Sequence, residues 1–472
     1  MWHKSSFIIN ETSNIIMKKK TVLFASCLLG TLAFSSCEKN LYDESKQPEK
    51  ELQMKDLDIP ADFQWKLTQV SETTVSSTIP TPTIVSFFLD EACSEEEKLA
   101  TIPVYAETSS LPLSIPTYAK TLYAQYKNGS GAMIKATMPI NPDGSFSLSI
   151  NDNNNTTSRA VTRGHDIEDD IDYDKWEGVI YHPKNGWGTI MFEDQFPSLG
   201  DYDFNDFVVN YKVQFEVGKQ KGNDYKSKQI VIGLRLKAVG GIFPYSPYLK
   251  LKEIKKHEAE VEMINAKTRK PLEVKYVDNK KNYLIIDCSE LIKNLPKGES
   301  QYFNTERGAL VSTNDLPEII ITIDLNVAKE VEEILEDDKF DLYLKRNDDG
   351  TEIHMNGIEP VGYKYPFKDS NLLPVYESDG DEEDDNYYFS KERLIWGLRV
   401  PGNVAHAVEK ANFLKAYPGF WKWATSSGKN EQNWYGQGNA DKSLLIWDYP
   451  SDCVNRKLRD FSRSFFIYIL TL

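Results

Sequence analysis

Regular alternation of side chains along residues 207–217 constrains the fold more than any other feature of the chain. Apolar residues take every second position, at Phe207, Val209, Tyr211, Val213, Phe215 and Val217. Successive side chains of a strand point to opposite faces of a sheet, so the pattern predicts a β-strand with one buried face. The segment EIIITIDL, residues 318–325, shows the same alternation. The chain is therefore predicted to be mainly β.

The distribution of strand-like runs predicts two domains in this chain of 472 residues. Short β-rich runs separated by turn-forming residues fill residues 57–150 and predict an N-terminal β-sandwich. Residues 151–175 are hydrophilic and of low complexity, which predicts a linker. A larger β-rich domain is expected at residues 176–447. Helical spacing of apolar residues at 327–335 and 404–417 predicts one or two short helices within it.

The first 37 residues carry the signature of a bacterial lipoprotein signal peptide. Three lysines follow Met17, an apolar stretch runs from Thr21 to Phe34, and Ser35-Ser36 precede Cys37. We expect cleavage before Cys37 and acylation of its thiol, which would leave residues 1–36 as signal peptide and 37–56 as a tether. Residues 1–16 precede a complete signal, so Met17 is the expected start. The apolar stretch is too short to cross a bilayer core of about 30 Å. The expected location is the bacterial outer membrane or cell surface, through a lipid anchor.

Charge and motif content exclude several classes of function. With 71 acidic and 55 basic residues the net charge is −16, which argues against nucleic-acid binding. The serine-hydrolase motif GxSxG, the zinc motif HExxH and phosphate-binding glycine motifs do not occur in the sequence. His354 is expected to be a structural histidine. The chain is therefore predicted not to be an enzyme.

The stretch GDYDFND, residues 200–206, concentrates oxygen-bearing side chains between two predicted strands. Ca²⁺ prefers six to eight hard oxygen ligands, but the spacing does not fit an EF-hand loop. Two interpretations stay open: a calcium loop of another kind, or a turn in which Asp and Asn cap backbone N–H groups. Mutual repulsion of so many carboxylates calls for neutralisation, either by an ion or, for Asp206, by a nearby Lys or Arg. The candidate ligands are Asp201, Asp203, Asn205, Asp206, Glu193 and Asp194.

Aromatic residues near the C-terminus form a second candidate site. Rings of this kind can stack on sugars, although packing in the core is the commoner use. The candidate ligand-binding residues are Trp421, Trp423, Trp434 and Tyr435.

Three segments together resemble the LruC-domain family of bacterial secreted lipoproteins, over residues of about 176–435. They are GTIMFEDQFPSLGDYDFNDFVVNYKV, RNDDGTEIHMNGIEP and VEKANFLKAYPGFWKWATSSGKNEQNWY. The resemblance implies a β-rich domain of LruC type without established enzymatic activity. The chain departs from the family at GGIFPYSPYLKL, after Val239, and in the divergent tail 448–472.

These features together predict a lipid-anchored, non-catalytic binding or adhesion module. Its expected partners are the membrane, through Cys37, and an extracellular glycan or protein. Two alternatives stay open: a carbohydrate-active hydrolase that uses paired carboxylates, and a structural subunit of a surface fibre that offers an open sheet edge.

Overall fold

The structure is a computed structural model that describes residues 51–79, 82–106, 108–151, 178–219, 225–295, 302–336, 338–375 and 386–446. Residues from Leu52 onward belong to one compact unit. The predicted signal peptide, Cys37, most of the tether, the tail 448–472 and all of the linker except Asn151 lie outside the described residues.

Strands dominate the described residues, as the sequence predicts. In chain order they are β1 (Thr68–Ser77), β2 (Thr83–Phe88), β3 (Lys98–Val104), β4 (Ser109–Pro116), β5 (Thr121–Lys127), β6 (Met133–Pro139), β7 (Phe146–Ile150), β8 (Gly178–His182), β9 (Gly188–Phe192), β10 (Phe207–Lys219), β11 (Tyr225–Ala238), β12 (Tyr245–Lys255), β13 (Ala259–Asn265), β14 (Pro271–Leu272), β15 (Tyr283–Asp287), β16 (Glu318–Glu330), β17 (Phe340–Arg346), β18 (Glu352–Ile353), β19 (Gly397–Val400), β20 (His406–Ala407) and β21 (Leu445–Ile446). The α-helices of the described part are α1 (Val331–Leu335), α2 (Phe413–Ala416) and α3 (Phe420–Thr425).

One twelve-stranded sheet crosses the predicted domain boundary. Its main path runs β14-β13-β16-β11-β10-β8-β3-β2-β5-β6, and β9 joins it by pairing with β10 and β19. The crossing point is the antiparallel pair β3–β8, in which Ala100 faces Ile180 and Thr101 faces Val179. The predicted sandwich at 57–150 therefore shares its sheet with the predicted second domain.

Three smaller sheets complete the fold. The first, β4-β1-β7, packs its apolar side chains with those of β2 and β3 in one large core, which gives the N-terminal sandwich. The other two are β15-β12-β17-β18 and β20-β21.

Strand β10 is buried on both faces, and the sequence-based expectation of a half-buried strand is wrong. Its second face carries Asn210, Lys212, Gln214 and Glu216, all at most 8 % exposed. The Asn210 amide donates to Gly188 O at 3.0 Å and to the Asn403 side chain at 3.1 Å. Segments distant in sequence cover this face and bond part of its polar groups, whereas Gln214 Nε2 and Glu216 Oε2 are buried without a hydrogen-bond partner in the described part of the chain. The local pattern therefore carries no sign of the second layer.

Three local predictions need correction. The helical spacing at 404–417 yields a helix only at Phe413–Ala416, since His406–Ala407 form β20. The helical spacing at 327–335 yields a helix only from Val331, because Val327 belongs to β16 and is 68 % exposed. The tether predicted at 37–56 ends early, since Met54 is buried in an apolar cluster and Asn412 Nδ2 donates to Leu52 O at 2.8 Å.

Candidate functional site

The acidic stretch lies in the connection between two paired strands, as predicted. Strand β9 ends at Phe192 and β10 begins at Phe207, and these two residues face each other across the antiparallel ladder. The residues that follow β9 and those that precede β10 are therefore neighbours. We call the six predicted ligands together the acidic centre: Glu193, Asp194, Asp201, Asp203, Asn205 and Asp206.

Glu193 lies deepest in the acidic centre and organises the loop. Its side chain is 0 % exposed and accepts backbone N–H groups of Tyr202 at 3.0 Å and Phe204 at 2.6 Å. Both aromatic residues are in the left-handed region, at φ 56° and 52°. Such a conformation costs about 1 kcal/mol or more per non-glycine residue. The loop therefore places its backbone N–H groups around a carboxylate at the expense of backbone strain.

Asp203 and Asn205 connect the loop to the C-terminal part of the chain. Asp203 Oδ2 accepts the Lys410 N–H at 2.7 Å and the Asn205 side-chain N–H at 2.8 Å. Asn205 Nδ2 also donates to Ala407 O at 3.4 Å. Asn205 is 0 % exposed, and its Oδ1 has no hydrogen-bond partner. A buried amide oxygen in this state is an unused ligand atom.

Asp194 and Asp206 are held by other backbone groups. Asp206 Oδ2 accepts the Asp194 N–H at 2.7 Å, and Asp194 Oδ2 accepts the N–H groups of Ile242 at 2.7 Å and Phe243 at 3.2 Å. These contacts tie the β9–β10 connection to the segment after β11. They are capping bonds of the kind that the turn interpretation predicts.

A cluster of metal-binding size forms within the acidic centre. One carboxylate oxygen each of Glu193, Asp201 and Asp203 lie within 4.8 Å of one another, with Asp201 exposed and the other two buried. Asp194 and Asp206 do not belong to this cluster, so the prediction of six converging ligands is too broad. Their carboxylates accept backbone N–H groups, as those of Glu193 and Asp203 also do.

The carboxylates of the acidic centre have little basic compensation: burial raises the pKa of Asp194, and Arg346 opposes that shift only from beyond ion-pair distance. No lysine, arginine or histidine of the described part forms an ion pair with its carboxylates. Burial, followed by repulsion from Asp206, Asp203 and Asp201, raises the pKa of Glu193 well above its usual range. Burial and then Asp194 raise the pKa of Asp206 to about 9. Two full charges 4.8 Å apart repel by about 3.5 kcal/mol at an effective dielectric constant of about 20. A divalent cation would remove this repulsion.

Glycines that the sequence analysis did not select make the acidic centre possible. A Cβ at Gly200 would lie 2.3 Å from Glu193 Oε2, at Gly240 2.3 Å from Asn205 Oδ1, and at Gly241 2.4 Å from Asp194 Oδ2. The available signal was the Gly-Gly pair in GGIFP, which departs from the LruC pattern. A larger residue would displace the acid side chains.

The aromatic residues proposed as a ligand-binding site form part of the core instead. Trp423 and Trp434 are 0 % exposed and Tyr435 is 7 % exposed. The two indole rings lie 5.8 Å apart and pack with Phe420. These three rings cannot stack on a sugar, because neighbouring side chains cover them. Trp421 is 37 % exposed and remains accessible.

His354 is a structural histidine. It is 0 % exposed and lies between Asp341 Oδ2, 2.7 Å from Nδ1, and Glu352 Oε2, 3.3 Å from Nε2. Lys250 pairs with Asp341 at 3.1 Å, and the Tyr343 ring stacks on the imidazole at 4.2 Å between centroids. Unlike the acidic centre, this buried network compensates its own charges.

Part of the chain is similar to a known sequence family. Residues 226–435 match the sequence profile of a family described as "Domain of unknown function (DUF4842)". The match overlaps most of the stretch that resembles LruC domains, and the LruC assignment itself stays a prediction. None of the curated proteins compared with the chain matches it.

One solved structure shares the fold. It is described as a "Putative lipoprotein from Bacteroides ovatus", is 20 % identical in sequence and superimposes with a TM-score of 0.58. The similarity covers 78 % of this chain and 100 % of that chain. Within the described ranges, no helix has the length and hydrophobicity needed to cross a membrane.

Proposed function

We propose that the chain is a lipid-anchored, non-catalytic binding or adhesion module of the bacterial surface, with Ca²⁺ held in the acidic centre. The observation that carries the calcium assignment is the cluster of Glu193, Asp201 and Asp203, which forms no ion pair with a basic residue of the described part of the chain. The unpaired Asn205 Oδ1 adds an unused oxygen nearby. Carboxylate and amide oxygens are the ligands that Ca²⁺ takes.

Two features support the surface location. The sequence before Cys37 is typical of a lipoprotein signal peptide. The structural neighbour from Bacteroides ovatus is itself described as a "Putative lipoprotein". Acylation of Cys37 would place the folded unit on the membrane without a spanning helix.

Burial of the clustered carboxylates supports a non-catalytic role. A glycosidase needs two carboxyl groups that both reach the substrate. Glu193 and Asp203 are at most 1 % exposed, so a sugar cannot reach between them. The hydrolase alternative would need another carboxylate pair.

Calorimetric titration of the full chain with CaCl₂, after treatment with chelator, tests the calcium proposal. We expect one binding event per chain with a dissociation constant of about 10⁻⁴–10⁻³ M, as for extracellular modules. Asp203→Ala should abolish the binding heat. Asp143→Ala removes an exposed acid that caps a turn through Ser145 and should leave the titration unchanged. Equal calcium binding by Asp203→Ala and the unmodified chain would contradict the proposal.

A further inference from the structure

A groove of about 1410 Å³ lies apart from the acidic centre and has no role in the function discussed so far. Its walls come from the segment 64–67, from β12, from residues 278–283 and from the long connection 355–367. Pockets for single small ligands measure roughly 300–1,000 Å³, so this groove has room for an oligomeric ligand.

The groove carries an excess of positive charge in a protein of net charge −16. Its walls hold seven basic and four acidic residues: Lys66, Lys250, Lys252, Lys280, Lys281, Lys364 and Arg399 against Asp278, Glu336, Asp338 and Glu359. A locally positive groove attracts an anionic ligand although the protein as a whole is negatively charged.

Ion pairs in the walls neutralise the acidic residues and leave part of the positive charge uncompensated. All four wall acids already have basic partners: Asp278 pairs with Lys256 at 2.9 Å, Asp338 with Lys252 at 3.2 Å, Glu336 with Lys339 at 3.8 Å, and Glu359 with Lys281. By contrast, Lys66, Lys280 and Lys364 are exposed and have no acidic partner within 4.0 Å in the described part of the chain. Three ammonium groups are thus available to a ligand.

Aromatic rings line the same groove. Phe367 is 56 % exposed, although it belongs to the large apolar residues that usually lie inside. Its ring centroid lies 5.3 Å from that of Tyr365 and 6.3 Å from that of Tyr387. Tyr365 is buried and accepts the Tyr388 N–H at 2.9 Å, so it offers the exposed ring a fixed neighbour. A flat apolar ring beside available ammonium groups suits a ligand with both flat apolar faces and negative charges.

We infer that this groove binds an acidic oligosaccharide, with pyranose faces stacked on Phe367 and Tyr387 and with carboxylate or sulfate groups at Lys66, Lys280 and Lys364. The inference rests on the proposed role as a binding module and names its ligand class. Inorganic phosphate offers the negative charge but no flat apolar face that could stack on Phe367. An acidic peptide offers the charges but lacks the flat sugar faces.

Calorimetry with the full chain and four probes tests this inference. The probes are an α-1,4-linked galacturonic acid hexamer, a chondroitin sulfate hexasaccharide, neutral maltohexaose and hexaglutamate. We expect one of the two acidic hexasaccharides to bind at least about tenfold more tightly than maltohexaose and hexaglutamate. If hexaglutamate binds as tightly as the better acidic hexasaccharide, the ligand class is not a sugar and the inference is wrong. If maltohexaose binds as tightly, negative charge does not contribute to recognition and the inference is wrong as well. If neither acidic hexasaccharide binds, the inference is wrong. The proposed function would then still be tested separately, by the calcium titration and by binding of other surface ligands.

Matched variants locate the site. Each of Lys66→Ala, Lys280→Ala and Lys364→Ala should weaken binding about two- to fivefold, the range of an exposed ion pair. Phe367→Ala should weaken it about tenfold, as loss of a stacking ring does. Lys228→Ala and Val327→Ala remove an exposed lysine and an exposed apolar side chain outside the groove and should have no effect. Unchanged affinity in all four groove variants would exclude the groove as the binding site.

Discussion

Two buried acids, Glu352 and Asp206, show how differently this fold treats negative charge. Burial alone would raise the pKa of Glu352, but the His354 imidazole and the N–H groups of Gly362 and Val361 lower it to about 2. Asp206 lacks a comparable set of partners, and burial raises its pKa to about 9. The first acid therefore stabilises the folded state when ionised, whereas ionisation of the second opposes folding.

The depressed pKa of Glu352 predicts an acid-dependent loss of stability. Because the folded-state pKa lies below the ordinary value, the contribution is complete above about pH 4.5 and is lost as the pH falls towards about 2. We expect Glu352→Gln to lower the free energy of unfolding by about 2–3 kcal/mol at pH 7. Urea denaturation at pH 7, 4 and 3 should show this difference shrinking with acid. The exposed Glu260→Gln provides the control, and a difference independent of pH would contradict the assignment.

At the scale of the elements, the β9–β10 connection was predictable and its surroundings were not. The alternating pattern predicts β10, and the acidic residues predict a special connection before it. The other contacts come from Ile242, Phe243 and Lys410, which are distant in sequence. No local pattern indicates which backbone N–H groups will meet a given carboxylate, because tertiary packing brings them together.

The pair β3–β8 changes what limited proteolysis should show. Residues 151–175 are hydrophilic, with few groups that can pack, so we expect the first cleavage there. The two fragments should co-elute in native gel filtration, since β3 and β8 pair across the cleavage point and share a core. They should separate in denaturant. Separation under native conditions would show that the shared sheet is not stable without the connection.

At the scale of the whole molecule, the sequence predicts the β class and the N-terminal sandwich but not the shared sheet. Composition separates residues 57–150 from residues 176–447, yet pairing between β3 and β8 joins them. Strand pairing depends on register and on the second layer, neither of which appears in the composition. The sequence likewise does not predict that Trp423 and Trp434 are buried, because aromatic residues occur both in cores and in binding sites.

Membrane attachment is the prediction that concerns the chain as a whole. Cys37→Ala removes the thiol that we expect to be acylated, so the protein should leave the membrane fraction and lose labelling by a palmitate analogue. Cys93→Ala removes a thiol within the folded unit and should keep both properties. Membrane retention and labelling of Cys37→Ala at the level of the unmodified chain would contradict lipid anchoring.

Thermal unfolding of the full chain with and without calcium tests the central claim most directly. At 10 mM Ca²⁺ and a dissociation constant of about 10⁻⁴–10⁻³ M, binding adds about 1.4–2.7 kcal/mol. For one cooperative unit spanning residues 52–472 this raises the melting temperature by about 2–3 °C. We predict this shift in the unmodified chain and in Asp143→Ala, and no shift in Asp203→Ala. A melting temperature that is the same with and without calcium, together with destabilisation by Asp203→Ala, would contradict this account. The acidic centre would then serve only to cap backbone N–H groups.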